Sequence, residues 1–246
     1  MRNIWTIAKR EYSQYFISPI AYAVAFLLLV VTGLVFVLTI MSISQNQSFT
    51  SDAPDTRAVT SLIAFLLMLF TPALTMRLIA DEIRMGTMEL LLTAPLRDYE
   101  LVIGKWLGVF LFILTLIAIT LIFPFMMNGM AKPGIDQVLM MSGYLGVILV
   151  AAALLSLGVG ISAIFSNQIA AFFTTMALFI VLWWLIGAPA NILPSGGEVF
   201  NYLSISSQLS SINNGSLSLS GVIYFLSLTA LGLFVGSTAV EIRRWR

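Results

Sequence analysis

Residues 138–188 read VLMMSGYLGVILVAAALLSLGVGISAIFSNQIAAFFTTMALFIVLWWLIGA, without one Asp, Glu, Lys or Arg. A bilayer core of about 30 Å is crossed by about 20 apolar helical residues, so this run holds two crossings. The polar triplet Ser166-Asn167-Gln168 divides it into 138–164 and 168–188, two spans joined by a tight hairpin. Gly187-Ala188-Pro189 closes the second, because proline lacks the backbone donor that a continuing helix needs. The same reading gives four more spans, at 20–42, 58–77, 106–127 and 219–240, with Lys132-Pro133-Gly134 as a turn between the third and fourth.

The composition agrees. The 246 residues carry 12 Lys/Arg and 11 Asp/Glu, against about a quarter charged, or roughly 60, for a soluble domain of this size. Hydrophobic residues make up 59% and the mean hydropathy is +1.00. Charge is absent from 12–51, 58–76, 106–131, 137–197 and 199–240. A soluble globule, a disordered chain and a nucleic-acid binder are excluded. With no Cys and no His, disulfides, imidazole metal sites and His acid–base catalysis are excluded too. Gly104-Lys105 is followed by Trp106 and lacks the upstream glycine of a phosphate-binding loop, so no P-loop ATP site is present. The first apolar run is longer than a signal-peptide core and no small-x-small site follows, so it is expected to stay in the membrane.

Orientation follows from the connecting segments. Ten of the 12 cations fall on one side of the six spans and only Arg57 and Lys132 on the other. The excess of Lys and Arg marks the cytoplasmic side. The expected fold is therefore an all-α polytopic membrane protein, a single domain over 1–246, with six transmembrane helices and both termini cytoplasmic.

Three segments are not spans. Residues 1–18 are amphipathic at helical period, with Ile4, Trp5, Ala8, Tyr12, Tyr15 and Phe16 on one side and Arg2, Thr6, Lys9, Arg10 and Ser13 on the other. An interfacial helix in the headgroup layer fits this pattern; a purely topogenic N-terminus is the plainer alternative. The segment 77–105, RLIADEIRMGTMELLLTAPLRDYELVIGK, packs nine charges into 29 residues. A loop that only joined two helices could be about 2–8 residues long. It reads as a docking surface for a partner, or as a solvated loop with i,i+3 and i,i+4 ion pairs. The segment 189–218 contains Pro194, Gly196, Gly197, Phe200 and Tyr202 and only Glu198 as a charge. It is too apolar for an exposed loop and too interrupted for a span. A re-entrant hairpin on the outer side or a loop that pairs with an extracytoplasmic partner would account for it.

The run Glu82-Ile-Arg84-Met-Gly86-Thr87-Met-Glu89, continuing to Thr93-Ala-Pro95 and then to Glu100-Leu-Val-Ile-Gly104-Lys105, resembles the signature of ABC-2-type transporter permeases. Ile7-Ala8-Lys9-Arg10-Glu11 with Pro19 resembles the N-terminal interface helix of that family, which would place Trp5, Lys9, Arg10 and Glu11 in it. Tyr224-Phe225-Leu226-Ser227 and Arg243-Arg244-Trp245 are similar to the gliding-motility-associated permease subgroup. The resemblance implies that 82–92 is a coupling helix seated in a separate ATP-binding subunit, with Glu82, Arg84, Gly86, Thr87 and Glu89 at the matching positions. Gly86 would let that partner approach the backbone closely. It also implies a re-entrant element before the sixth span.

On this reading the chain is the permease subunit of an ATP-driven transporter in the bacterial cytoplasmic (inner) membrane. It has no cofactor or catalytic residue of its own, and ATP and Mg sit on two copies of a partner ATPase. A second permease copy or paralogue, membrane lipids and a periplasmic-facing protein are the other expected partners. The spans hold no ionisable residue, which argues against proton or ion coupling. Their Ser, Thr, Gly104-x-x-x-Gly108 and Gly232-x-x-x-Gly236 positions read as helix packing. A non-transport membrane scaffold, or a six-helix channel or carrier, remains the alternative.

Overall fold

The computed structural model describes residues 2–45, 56–88, 97–130, 134–191 and 197–244. Among these there are helices and no strands. The elements are α1 (Arg2–Tyr15), α2 (Pro19–Gln45), α3 (Arg57–Thr75), α4 (Ala80–Arg84), α5 (Asp98–Thr120), α6 (Ile122–Met130), α7 (Gln137–Ile164), α8 (Gln168–Ile180), α9 (Gly197–Leu203), α10 (Ile205–Asn213) and α11 (Leu219–Arg244). Among the described residues six segments are long and apolar enough to cross a membrane: Pro19–Ser42, Arg57–Arg84, Asp98–Met130, Gln137–Ile164, Gln168–Leu185 and Leu219–Arg243. They match the six expected spans in number; the second segment also takes in α4, whose charged residues follow the apolar run that ends at Met76.

The second half of the opening stretch differs in detail. The α-helix α8 ends at Ile180 and passes into a π-helical turn, Val181–Leu185, before a 3-10 turn at Ala188–Asn191. The third span starts earlier than expected, at Asp98, and breaks at Leu121 between α5 and α6. Pro124 explains the break: it has no N–H for the Thr120 carbonyl, and its ring would clash there. The Tyr144 hydroxyl donates to that orphaned carbonyl at 3.0 Å.

Helix α7 is the centre of the bundle. Every residue from Val150 to Ala163 is buried, and the run is rich in Ala, Ser and Gly. Small side chains let neighbouring helices approach where lipid supplies no hydrophobic drive to association. Helices α3, α5, α8, α10 and α11 all pack against α7. Its ends are satisfied locally. The Asp136 side chain accepts from Val138 N at 2.9 Å and Leu139 N at 3.1 Å, an N-cap. Arg243 donates to the carbonyls of Ala163, at 3.3 Å, and Ile164, at 2.8 Å, closing the C-terminus with a cation that suits the helix dipole. Asn167 of the predicted hairpin turn caps α8, accepting from Ile169 N at 2.9 Å.

Of the segment before the sixth span, Gly197–Leu203 and Ile205–Asn213 are helical. Ile205, Leu209 and Ile212 of α10 are buried on one stripe, and α10 packs against α7 and α3. Gly197 begins α9, Phe200 is half-buried, and Tyr202 is exposed, with its ring edge-on to Tyr224. Pro194 and Gly196 lie outside the described residues.

Candidate functional site

The site lies at the cation-rich end, where α1, the end of α3, α4 and the start of α5 meet. Helix α1 lies against α5, and small residues make this possible. A Cβ added at Gly108 would stand 2.5 Å from Glu11 Cβ and 3.0 Å from the Ala8 carbonyl oxygen. The packed face of α1 comprises Ile4, Ile7, Ala8, Glu11, Tyr12 and Tyr15, while Trp5 and Phe16 are exposed. The apolar stripe expected from the sequence is therefore rotated: it yields Trp5 and Phe16 and takes in Ile7 and Glu11. Lys9 and Arg10 are exposed. Tyr12 shares a hydrogen bond with Thr115, and the Tyr15 hydroxyl donates to the Leu74 carbonyl at 3.2 Å. Burial, with the Glu11 charge adding, pushes the Tyr15 phenol well above its ordinary value, so it remains a donor.

Glu11 turns inward because a cation waits there. Lys105 Nζ lies 2.9 Å from Glu11 Oε1 and 2.8 Å from Glu82 Oε1. The Lys105 side chain is only 4% exposed. One ammonium thus joins three elements, α1, α4 and α5, that are far apart in sequence. A buried charge is tolerated only when paired and hydrogen-bonded, and a lysine stem reaching two carboxylates satisfies both conditions.

Helix α4 is held from a second direction. Ser162 Oγ of α7 accepts from the backbone N–H groups of Ile79 and Ala80, each at 3.1 Å. Its own hydroxyl donates to the Met76 carbonyl at 3.3 Å. Arg77 donates to Ser18 Oγ at 2.8 Å, tying the end of α3 to the turn before α2. Gln168, the first residue of α8, donates to Asp81. The segment following span two is therefore fastened to four other elements. A cavity of about 440 Å³ opens beside it, with Arg10, Gln14, Arg77, Asp81, Glu82 and Lys105 in its lining.

Of the residues singled out in the sequence, Glu82 faces Lys105 and the cavity. Arg84 points outward, its side chain 63% exposed and 3.3 Å from Asp81. Met85 beside it is also exposed. Gly86 is exposed with φ +71°, and a Cβ there would meet nothing within 4 Å. The glycine is needed for its left-handed conformation where α4 ends. Gly86→Ala is therefore expected to cost about 1 kcal/mol, read as a lower thermal unfolding midpoint in detergent. Thr87 donates to the Glu82 carbonyl at 3.3 Å, closing the turn. Glu89 and the rest of 82–92 beyond Met88 lie outside the described residues.

Lys105 is the residue that sequence reasoning left unused beyond the motif match and the cation count. The signal was there: an isolated lysine directly before a charge-free span, next to a glycine pair four residues apart. The partner carboxylates, 94 and 23 positions away, were not visible without the fold. Among the described residues no cluster of three or more Asp or Glu could hold a metal ion. The shared ammonium links α1, α4 and α5, and Arg84, Met85 and Gly86 are exposed at the end of α4.

A family model described as ABC-2 family transporter protein matches residues 5–242. No curated protein matches the chain.

Proposed function

The chain belongs to the ABC-2 transporter family, so it is a multi-pass membrane permease of an ABC transporter, and on that premise we propose that a separate ATP-binding subunit docks on the tip of α4. The carrying observation is the contrast within this segment. Its base is tied to α1, α5, α7 and α8, whereas Arg84, Met85 and Gly86 stand exposed at its end. A rigid lever with a free tip can transmit a partner's movement into the spans without dissipating it in a flexible loop.

The cation excess at this end supports a cytoplasmic placement of both termini in a bacterial inner membrane. ATP and Mg then reside on the partner, in two copies facing two permease chains, and 82–92 serves as the coupling helix. Helix α1 braces the lever from the membrane side, with exposed Trp5, Lys9 and Arg10 in the headgroup layer. Helices α9 and α10 form the outer re-entrant element. The likeness of the terminal motifs to the gliding-motility-associated subgroup favours mechanical coupling to a periplasmic partner.

The test is co-purification of an ATP-binding subunit with the chain extracted from its own membrane. The wild-type chain is expected to bring it down, and Arg84→Glu to weaken that association about tenfold by opposing charge at the contact. The fold should survive, since Arg84 is exposed. A chain that brings down no ATPase would overturn the docking reading.

A further inference from the structure

The two carboxylates of α4 face different neighbours. Glu82 reaches Lys105, whereas Asp81 stands between the exposed tip and the start of span five. Resting on the docking reading above, we propose that Asp81 is a positioning residue that relays engagement of Arg84 to α8 through Gln168.

One oxygen serves two donors. Asp81 Oδ1 lies 3.3 Å from the Arg84 guanidinium and also accepts from the Gln168 side-chain amide. Arg84 is three residues away on the same helix, whereas Gln168 is 87 residues away, at the first position of α8. The two links differ in strength. The Arg84 pair is an i,i+3 contact whose cation is 63% exposed, and solvent screening makes such pairs weak. The Gln168 bond is partly buried and its acceptor is charged, which places it in the stronger class. A partner group that takes Arg84 therefore detaches the weaker link at small cost. The full carboxylate charge is then left to Gln168, whose bond tightens.

Gln168 stands where this change has an outlet. It follows Asn167, whose side chain caps α8, in the polar turn between spans four and five. Within their most apolar stretches span four is 83% buried and span five only 22%. Span four is thus locked in the core, and Arg243 also holds its end through the Ala163 and Ile164 carbonyls. Span five has far less packing to resist a pull on its first residue, so the tie from Asp81 weighs more there.

The relay is tested by hydrogen exchange of the full chain in nanodiscs, read over residues 168–174. Arg84→Ala, at an exposed side chain, mimics withdrawal of the guanidinium. It is expected to slow exchange at the start of α8 about threefold. In an Asp81→Ala or a Gln168→Ala background the same substitution should change nothing there, because the path is cut. A merely structural Asp81 would lower protection in its own variant yet leave the response to residue 84 intact. A bound ATP-binding subunit should slow exchange at the start of α8 in the wild-type chain and not in Asp81→Ala. Unchanged α8 exchange in Arg84→Ala, or slowing that survives in Asp81→Ala, would overturn the relay. The measurements on the chain alone need no ATPase, so exchange decides the relay and co-purification decides docking.

Discussion

Lys105→Met is expected to unfold the cation-rich end. The substitution preserves the apolar stem but removes the ammonium that two carboxylates share, at 2.9 Å to Glu11 and 2.8 Å to Glu82. Leaving one side of a buried ion pair uncompensated costs about 3–5 kcal/mol. Glu11 is 8% exposed on the face of α1 turned toward α5, and water entering the cavity that it lines with Lys105 restores only part of the lost pairing. Thermal unfolding of the detergent-solubilised chain should show a large drop, and hydrogen exchange should show α1 released first. Glu11→Gln in the Lys105→Met background should recover part of the loss, because it removes a stranded charge. A double-mutant cycle with no coupling between the two positions would refute the shared-ammonium account. Glu82→Gln alone should be milder, since Glu11 still neutralises the lysine. If the lever reading holds, it should also uncouple the partner ATPase, while the chain stays folded.

The second large effect is expected at the crossing of α7 and α11. A Cβ added at Gly232 would lie 2.5 Å from the Ser156 carbonyl carbon and 2.6 Å from the Leu157 nitrogen. These are backbone atoms, so no rotamer change can relieve the clash. A neighbouring Cβ at Gly160 would meet the Gly232 carbonyl oxygen at 2.7 Å, so the approach is mutual. Gly232→Leu should force the helices apart and cost about 3 kcal/mol or more, at the upper end of overpacking effects. The loss of monodisperse protein on size-exclusion chromatography would report it. Ile223→Leu, on the exposed face of α11, is the matched control and should behave as wild type. A Gly232→Leu chain that stays monodisperse with an unaltered unfolding midpoint would show that this contact does not hold the bundle.

The two substitutions differ in how far the sequence could anticipate them. Gly232-x-x-x-Gly236 was legible as a packing motif, because such spacing places two small residues on one helix face. It did not say which helix would fill the groove. Lys105 was legible only as a motif position. A charge next to a span ordinarily contributes to orientation alone, and nothing local indicates that Glu11 and Glu82 close on it. The rotation of the α1 stripe has the same cause. Glu11 belongs on the polar side by hydropathy, and the lysine across the interface reverses that preference. The break at Leu121 was partly readable from Pro124, whereas Tyr144 as the donor that tolerates it was not.

Composition and apolar run length determined the six membrane-length helices and the concentration of charge at one end. Both are properties of successive residues measured against the thickness and dielectric of a bilayer, so no contact between helices is required to read them. Only the tertiary structure decided that Ser162 and Lys105 turn the segment after span two into a fastened lever, and that Arg84 and Gln168 meet on one oxygen of Asp81. Those features depend on pairs of side chains brought together by helix packing. In an apolar bundle that packing is selected by the close fit of small residues and a few buried polar partners, which a hydropathy pattern does not encode.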